Sequence, residues 1–142
     1  MPTIELNRFH EAQHFIIDQA CNELAIGKKH GHWMWYVFPQ VSGLGRSATA
    51  ELYAINGSAE AEAYFADPVL KERLLKCTEL FFSHKDKTPL EILGFPDNLK
   101  MKSCMTLFAL CQKETPLFQQ VIDDFYNGEL CGHTVEFLKA TS

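Results

Sequence analysis

Four groups of residues have types and spacing that could do chemistry. The first is His10-Glu11-Ala12-Gln13-His14. On a helix, H-E-x-x-H sets two imidazoles one turn apart, where they can chelate zinc with the Glu as base. The metzincin continuation needs Gly at position 17, and the chain has Ile17. The nine residues before the motif leave no room for a substrate-binding strand. A polar stripe on a surface helix is the expectation, with no metal site.

The second group is Gly43-Leu44-Gly45-Arg46-Ser47-Ala48. It fits G-x-G-x-x-[GA], the dinucleotide fingerprint, which is meaningful only after a strand and inside a βαβ unit. Pro39 precedes it and helical patterns follow, so a Rossmann domain is not expected. Glycines ahead of a helix still let backbone amides approach an anion, and Arg46 adds a bidentate donor. A tight inter-helix turn that needs glycine explains the same residues equally well.

The third group runs from Lys28 to Gln40, KKHGHWMWYVFPQ, and holds both tryptophans. On a helix, Trp33 and Trp35 would lie roughly 200° apart, one toward the core and one on a pocket wall. Flat aromatic walls suit a nucleobase. Gln40 can read a base edge. His32 is the acid–base candidate, because the unperturbed imidazole titrates nearest neutrality. His30 and His32 could join Cys131 and His133 around a metal, but nothing in the sequence brings the two pairs together. The fourth group is Lys100, Ser103 and Thr106, polar residues at three-residue spacing. They could be a pocket rim or a solvated helix face.

The elements that must position these groups are helical. Asn7 can cap a helix closed by Gly27, with Phe9, Ala12, Ile16, Ala20 and Leu24 on one face. Asp67-Pro68 is a cap followed by proline at the first helical position. Thr88-Pro89-Leu90-Glu91 fits the capping box. Asp97 and Thr115-Pro116 open two more helices, the second closed by Asn127-Gly128. Ser58 caps a short helix to Phe65, and a last helix runs over Thr134 to Lys139. The β-rich segment Trp35 to Val41 is interrupted by Pro39. The expectation is an all-α fold of six to eight helices in one domain over residues 1–142.

Composition bounds the function. The 142 residues carry 13 Lys and Arg against 18 Asp and Glu, a net charge of −5. That argues against nucleic acid as the main partner, since phosphate binding needs clustered cations. No basic stretch is followed by an apolar run at the N-terminus, and the longest apolar run, Trp33 to Pro39, is too short to span a bilayer. The five cysteines form no C-x-x-C, so a cytoplasmic protein with reduced thiols is expected.

H-W-M-W-Y-V-F-P-Q, then G-L-G-R-S, A-x-x-Y-A-I, D-P-V-L-x-x-R-L and D-N-L-K-M-K-S-C-M-T-L-F together resemble one uncharacterised bacterial family. It is the domain of unknown function numbered eighteen-ten, often mislabelled "calpastatin". The resemblance covers about residues 7–138 and implies a compact all-helical domain. It adds Tyr53 to the candidate positions. It departs from the family's usual His at Asp67 and its usual Ser at Cys104. A more distant similarity links Met105 to Phe118 with the NADAR superfamily, helical proteins that act on ADP-ribose derivatives and riboside-type N-glycosidic bonds.

Two functions follow as expectations. One is a pocket for a phosphorylated nucleotide derivative such as ADP-ribose, with or without N-glycosidase activity. Trp33, Trp35, Gln40, Gly43, Gly45, Arg46, Ser47, Tyr53, Lys100, Ser103 and Thr106 would line it and His32 would be catalytic. No cofactor is expected. The other is a non-enzymatic interaction domain in which these residues are structural.

Overall fold

Asp67 accepts hydrogen bonds from the backbone N–H groups of Val69 and Leu70, at 3.0 and 3.1 Å. Pro68 then takes the first helical position, where a missing N–H costs nothing. Thr88 and Glu91 close both arms of a capping box. Gly27 ends the first helix with φ 87°, its N–H donating to the Glu23 carbonyl. These signals set the boundaries of a computed structural model that describes residues 5–45 and 47–141.

The helices are α1 (Asn7–Ile26), α2 (Met34–Val37), α3 (Ala48–Leu52), α4 (Ser58–Ala66) and α5 (Pro68–Phe82). Then come α6 (Pro89–Leu93), α7 (Asp97–Cys111), α8 (Leu117–Phe125) and α9 (Gly132–Thr141). The described residues hold no strand; one isolated parallel bridge joins Val41 to Ile55. The four- and five-residue α2 and α3 bring the number of helices among the described residues to nine. None of them is long and apolar enough to cross a membrane.

Four helix starts differ from the signals in the sequence, among them α8, where Pro116 precedes the helix and no side chain caps it. Leu6, not Asn7, precedes α1, and no side chain caps it. Gly57 precedes α4, so Ser58 is its first helical residue. Pro96 precedes α7, and the Asp97 carboxylate turns away from the helix end to meet two lysines.

Helix α7 is the central element. Met101 and every residue from Ser103 to Ala109 are buried. A helix buried nearly all round must have neighbours on every side, and α7 packs on α2, α4, α6, α8 and α9. Phe108 holds the centre, with its ring 5.6 to 6.1 Å from those of Phe118, Tyr64 and Phe65. Helix α1 packs against α5. Its Gln13, inside the H-E-x-x-H run, is buried and donates to the Tyr36 carbonyl and the Tyr64 hydroxyl, at 2.6 and 2.9 Å.

Candidate functional site

The site begins with a buried carboxylate. Glu23 Oε1 accepts from the N–H groups of His30 (2.7 Å) and Gly31 (2.9 Å) and from Trp33 Nε1 (2.9 Å). Gln19 donates to Oε2 at 2.8 Å. Burial works to raise this acid, but the four donors outweigh it and hold the pKa at about 2. Glu23 therefore fixes the turn between α1 and α2, which carries Lys29 and His32. Lys29 bonds the Gly31 carbonyl and pairs with Asp97 at 2.6 Å. Lys100 pairs with the other Asp97 oxygen at 3.1 Å, and its ammonium lies 4.4 Å from the Trp35 ring centroid. Two cations thus share one carboxylate.

Two adjoining recesses open here, with Trp35, Ser47 and Lys100 as their shared wall. The polar one, about 260 Å³, adds Lys29, His32 and Asp97. The more apolar one, about 440 Å³, adds Leu44, Pro96 and Leu99, with Gln40 and Ser103 as its polar groups. Gln40 is 1% exposed, and its Nε2 is buried without a hydrogen-bond partner. Ser47 also caps α3, accepting from the Ala50 N–H at 3.1 Å. Ser103 Oγ lies 3.1 Å from the Leu99 carbonyl oxygen and 3.3 Å from Cys131 Sγ, with one proton to give. A recess of about 470 Å³ between α4, α7 and α9 holds none of the motif residues.

The fold thus brings together His32, Trp35, Gln40, Gly45, Ser47, Lys100 and Ser103. It takes four other candidates elsewhere. Trp33 is fully buried, its indole N–H spent on Glu23. Thr106 is fully buried, donating to the Lys102 carbonyl and accepting from the Cys131 N–H. Tyr53 packs on Phe9 and Tyr36. Gly43, at φ 92°, faces His133. Arg46 lies outside the described residues, although its chain neighbours Gly45 and Ser47 line the apolar recess.

Gly45 has a packing reason to be glycine. A Cβ there would stand 2.7 Å from Trp35 Cη2 and 2.6 Å from the Ala50 Cβ. The H-E-x-x-H histidines have separate partners: His10 pairs with Asp67 at 2.7 Å, and His14 lies against Phe15. No group of three or more His, Cys, Asp or Glu suited to a metal occurs among the described residues. His133 bonds the Ser42 carbonyl instead. Glu23, Lys29 and Asp97 also build the site, although no motif in the sequence marks them as doing so. In the sequence Lys29 stands out only as part of the Lys28–Gln40 segment, and Asp97 only as a helix start.

The family model described as "Protein of unknown function (DUF1810)" matches residues 3–138. Among solved structures, the chain is similar to the conserved hypothetical protein Rv1873 from Mycobacterium tuberculosis. The two are 40% identical, with a TM-score of 0.94 over 96% of this chain and 97% of that one. No curated protein matches.

Proposed function

The chain belongs to the DUF1810 family, and for this member we propose a cytoplasmic binder of a small phosphorylated compound that carries a flat heterocycle, of the ADP-ribose type. The carrying observation is Gln40: a fully buried amide donor with no partner, at the recess beside Trp35 and the Lys29–Asp97–Lys100 cluster. A buried donor left unpaired costs about 1–3 kcal/mol. A ligand acceptor that completes it offsets that cost. The apolar recess suits the heterocycle, with Leu44, Pro96 and Leu99 against its faces and Gln40 at its edge. The polar recess suits phosphate. Its two lysines outnumber their one carboxylate, and His32 stands beside them. A phosphate that draws the Lys100 ammonium toward it uncovers the Trp35 ring.

The support is for binding before catalysis. His32 has no hydrogen-bond partner among the described residues to fix its tautomer, and Asp97 is engaged by both lysines. Cleavage of an N-glycosidic bond is the extension of this reading, measured as release of free base. The alternative, an interaction domain, draws on Phe95 and Leu99, which are 73% and 51% exposed beside the recess.

The test is Gln40→Met, which keeps the volume and removes the amide. The unliganded variant gains about 1 kcal/mol, a few degrees in melting temperature. Its affinity for ADP-ribose falls roughly tenfold or more in calorimetric titration, since each 1.4 kcal/mol is a factor of ten. Opposite signs are the signature of a donor kept for a ligand. If ADP-ribose, AMP and ribose 5-phosphate all leave the wild-type melting temperature unmoved, the nucleotide reading falls and the interaction domain takes its place.

A further inference from the structure

On the face where α1 meets α5, away from the recesses around Trp35, two thiols touch. Cys21 Sγ and Cys77 Sγ are 3.8 Å apart, although the residues are 56 positions apart in the chain. Cys77 is fully buried on α5, while Cys21 is half-buried on α1. Cys21 lines a recess of about 240 Å³ with Asp18, Glu72, Arg73 and Lys76. One sulfur therefore has access to solvent through a polar, charged opening. The other is closed to solvent and touches the first.

We propose that Cys21 and Cys77 are a peroxide-oxidisable dithiol, with Cys21 as the attacking sulfur and Cys77 as the resolving one, closing to a disulfide that ties α1 to α5.

The Cys21 thiolate attacks one oxygen of hydrogen peroxide. The O–O bond breaks, Cys21 becomes a sulfenic acid, and the departing hydroxide is protonated to water. Arg73 and Lys76 offer that hydroxide donors. The Cys77 sulfur then attacks Cys21 Sγ. The S–O bond breaks, the Cys77 proton leaves with the hydroxyl as water, and the S–S bond forms. With hydrogen peroxide the sum is two thiols and one peroxide giving one disulfide and two waters. An S–S bond is about 2.05 Å long, so the sulfurs must close by roughly 1.8 Å.

The electrostatics suit these roles. The Cys77 hydrogen bond, with help from Lys76 and Arg73 against burial and Asp18, draws the Cys21 thiol below its ordinary range. Cys77 is pushed far up by that same hydrogen bond, by burial and by the neighbouring thiolate. Once Cys21 is a sulfenic acid the thiolate is gone, and burial alone continues to oppose ionisation of Cys77.

The experiment uses the reduced full chain at pH 7. One equivalent of hydrogen peroxide should lower the free-thiol count from five to three and yield a Cys21–Cys77 peptide link by mass spectrometry. In Cys77→Ala the sulfenic acid cannot be resolved, and dimedone should label Cys21. Cys111, half-buried, has its thiol pushed up to about 11 by burial and Glu62. A larger thiolate fraction then makes iodoacetamide alkylation of Cys21 faster than that of Cys111. Should Cys77→Ala not fold, the wild-type peptide map and alkylation ratio decide alone. Peroxide oxidation that links other cysteines, or that leaves Cys21 and Cys77 as free thiols, overturns the proposal. So does equal alkylation of Cys21 and Cys111.

Discussion

Glu23→Gln lowers stability by about 3 kcal/mol at pH 7, and that loss fades in acid. The folded state holds this carboxyl at about 2 instead of the ordinary 4.5, a difference worth about 3 kcal/mol. The folded pKa is the depressed one. The contribution is therefore complete above the unfolded pKa and is lost as pH falls through the folded one. Urea unfolding at several pH values should give a wild-type-minus-variant difference that is flat from pH 7 to 5. It should then shrink below about 4.5 and reach a few tenths of a kcal/mol near pH 2. The melting temperature at pH 7 drops by roughly 10 °C. The comparison isolates Glu23 from Asp67, Glu91 and Glu129, whose acids are also lowered, because those are common to both proteins. A difference that does not vary with pH would assign the loss to shape, not charge. The same variant loosens the turn that carries Lys29 and His32, so the polar recess should bind phosphate more weakly.

Gly45→Ala costs about 2 kcal/mol, the ordinary scale for forcing a methyl into a filled space. Gly45 lies outside the left-handed φ region that Gly27, Gly43, Gly94 and Gly128 occupy, so its φ does not exclude alanine. The cost is steric, from the added methyl against the Trp35 ring and the Ala50 methyl. Ala50 is buried and anchored in α3, so the indole must move. Trp33 reports a constant buried environment, so a change in tryptophan emission would come from Trp35. The expected result is a melting temperature several degrees lower together with altered emission. A variant as stable as wild type would mean the indole yields freely and is no fixed wall.

Much of the architecture was written in local signals. Asp67, Thr88 and Gly27 act within four residues of themselves, and the chain reads there as it folds. Short helices carry no period to read: α2 spans one turn inside a run of aromatic and β-branched residues that looked extended. Asp97 shows the limit of cap reading. Its carboxylate could serve the helix end or a distant cation, and Lys29, 68 positions away, prevails. Glu23 was invisible for a related reason. On α1 it looks like one more solvent-facing acid, and only the turn folding back over it reveals three donors. The aromatic pair was legible as one inward and one on a wall, but which indole did which depended on Glu23. Gly45 allows two readings in the sequence, an approach for an anion or a tight turn, and neither foretells the Trp35 indole that packs against it.

The pair of lysines around Asp97 makes a small positive spot on a chain whose net charge is −5. An anion diffusing toward it meets two fields of different range. The whole chain repels it from afar, and the lysines attract it only close by. Raising ionic strength from about 0.01 to 0.1 M shortens the screening length from about 30 to about 10 Å. That hides the distant repulsion first and leaves contact with the ammonium groups largely intact. The approach of a phosphorylated ligand therefore quickens with moderate salt, the reverse of what steering by a uniformly basic surface produces.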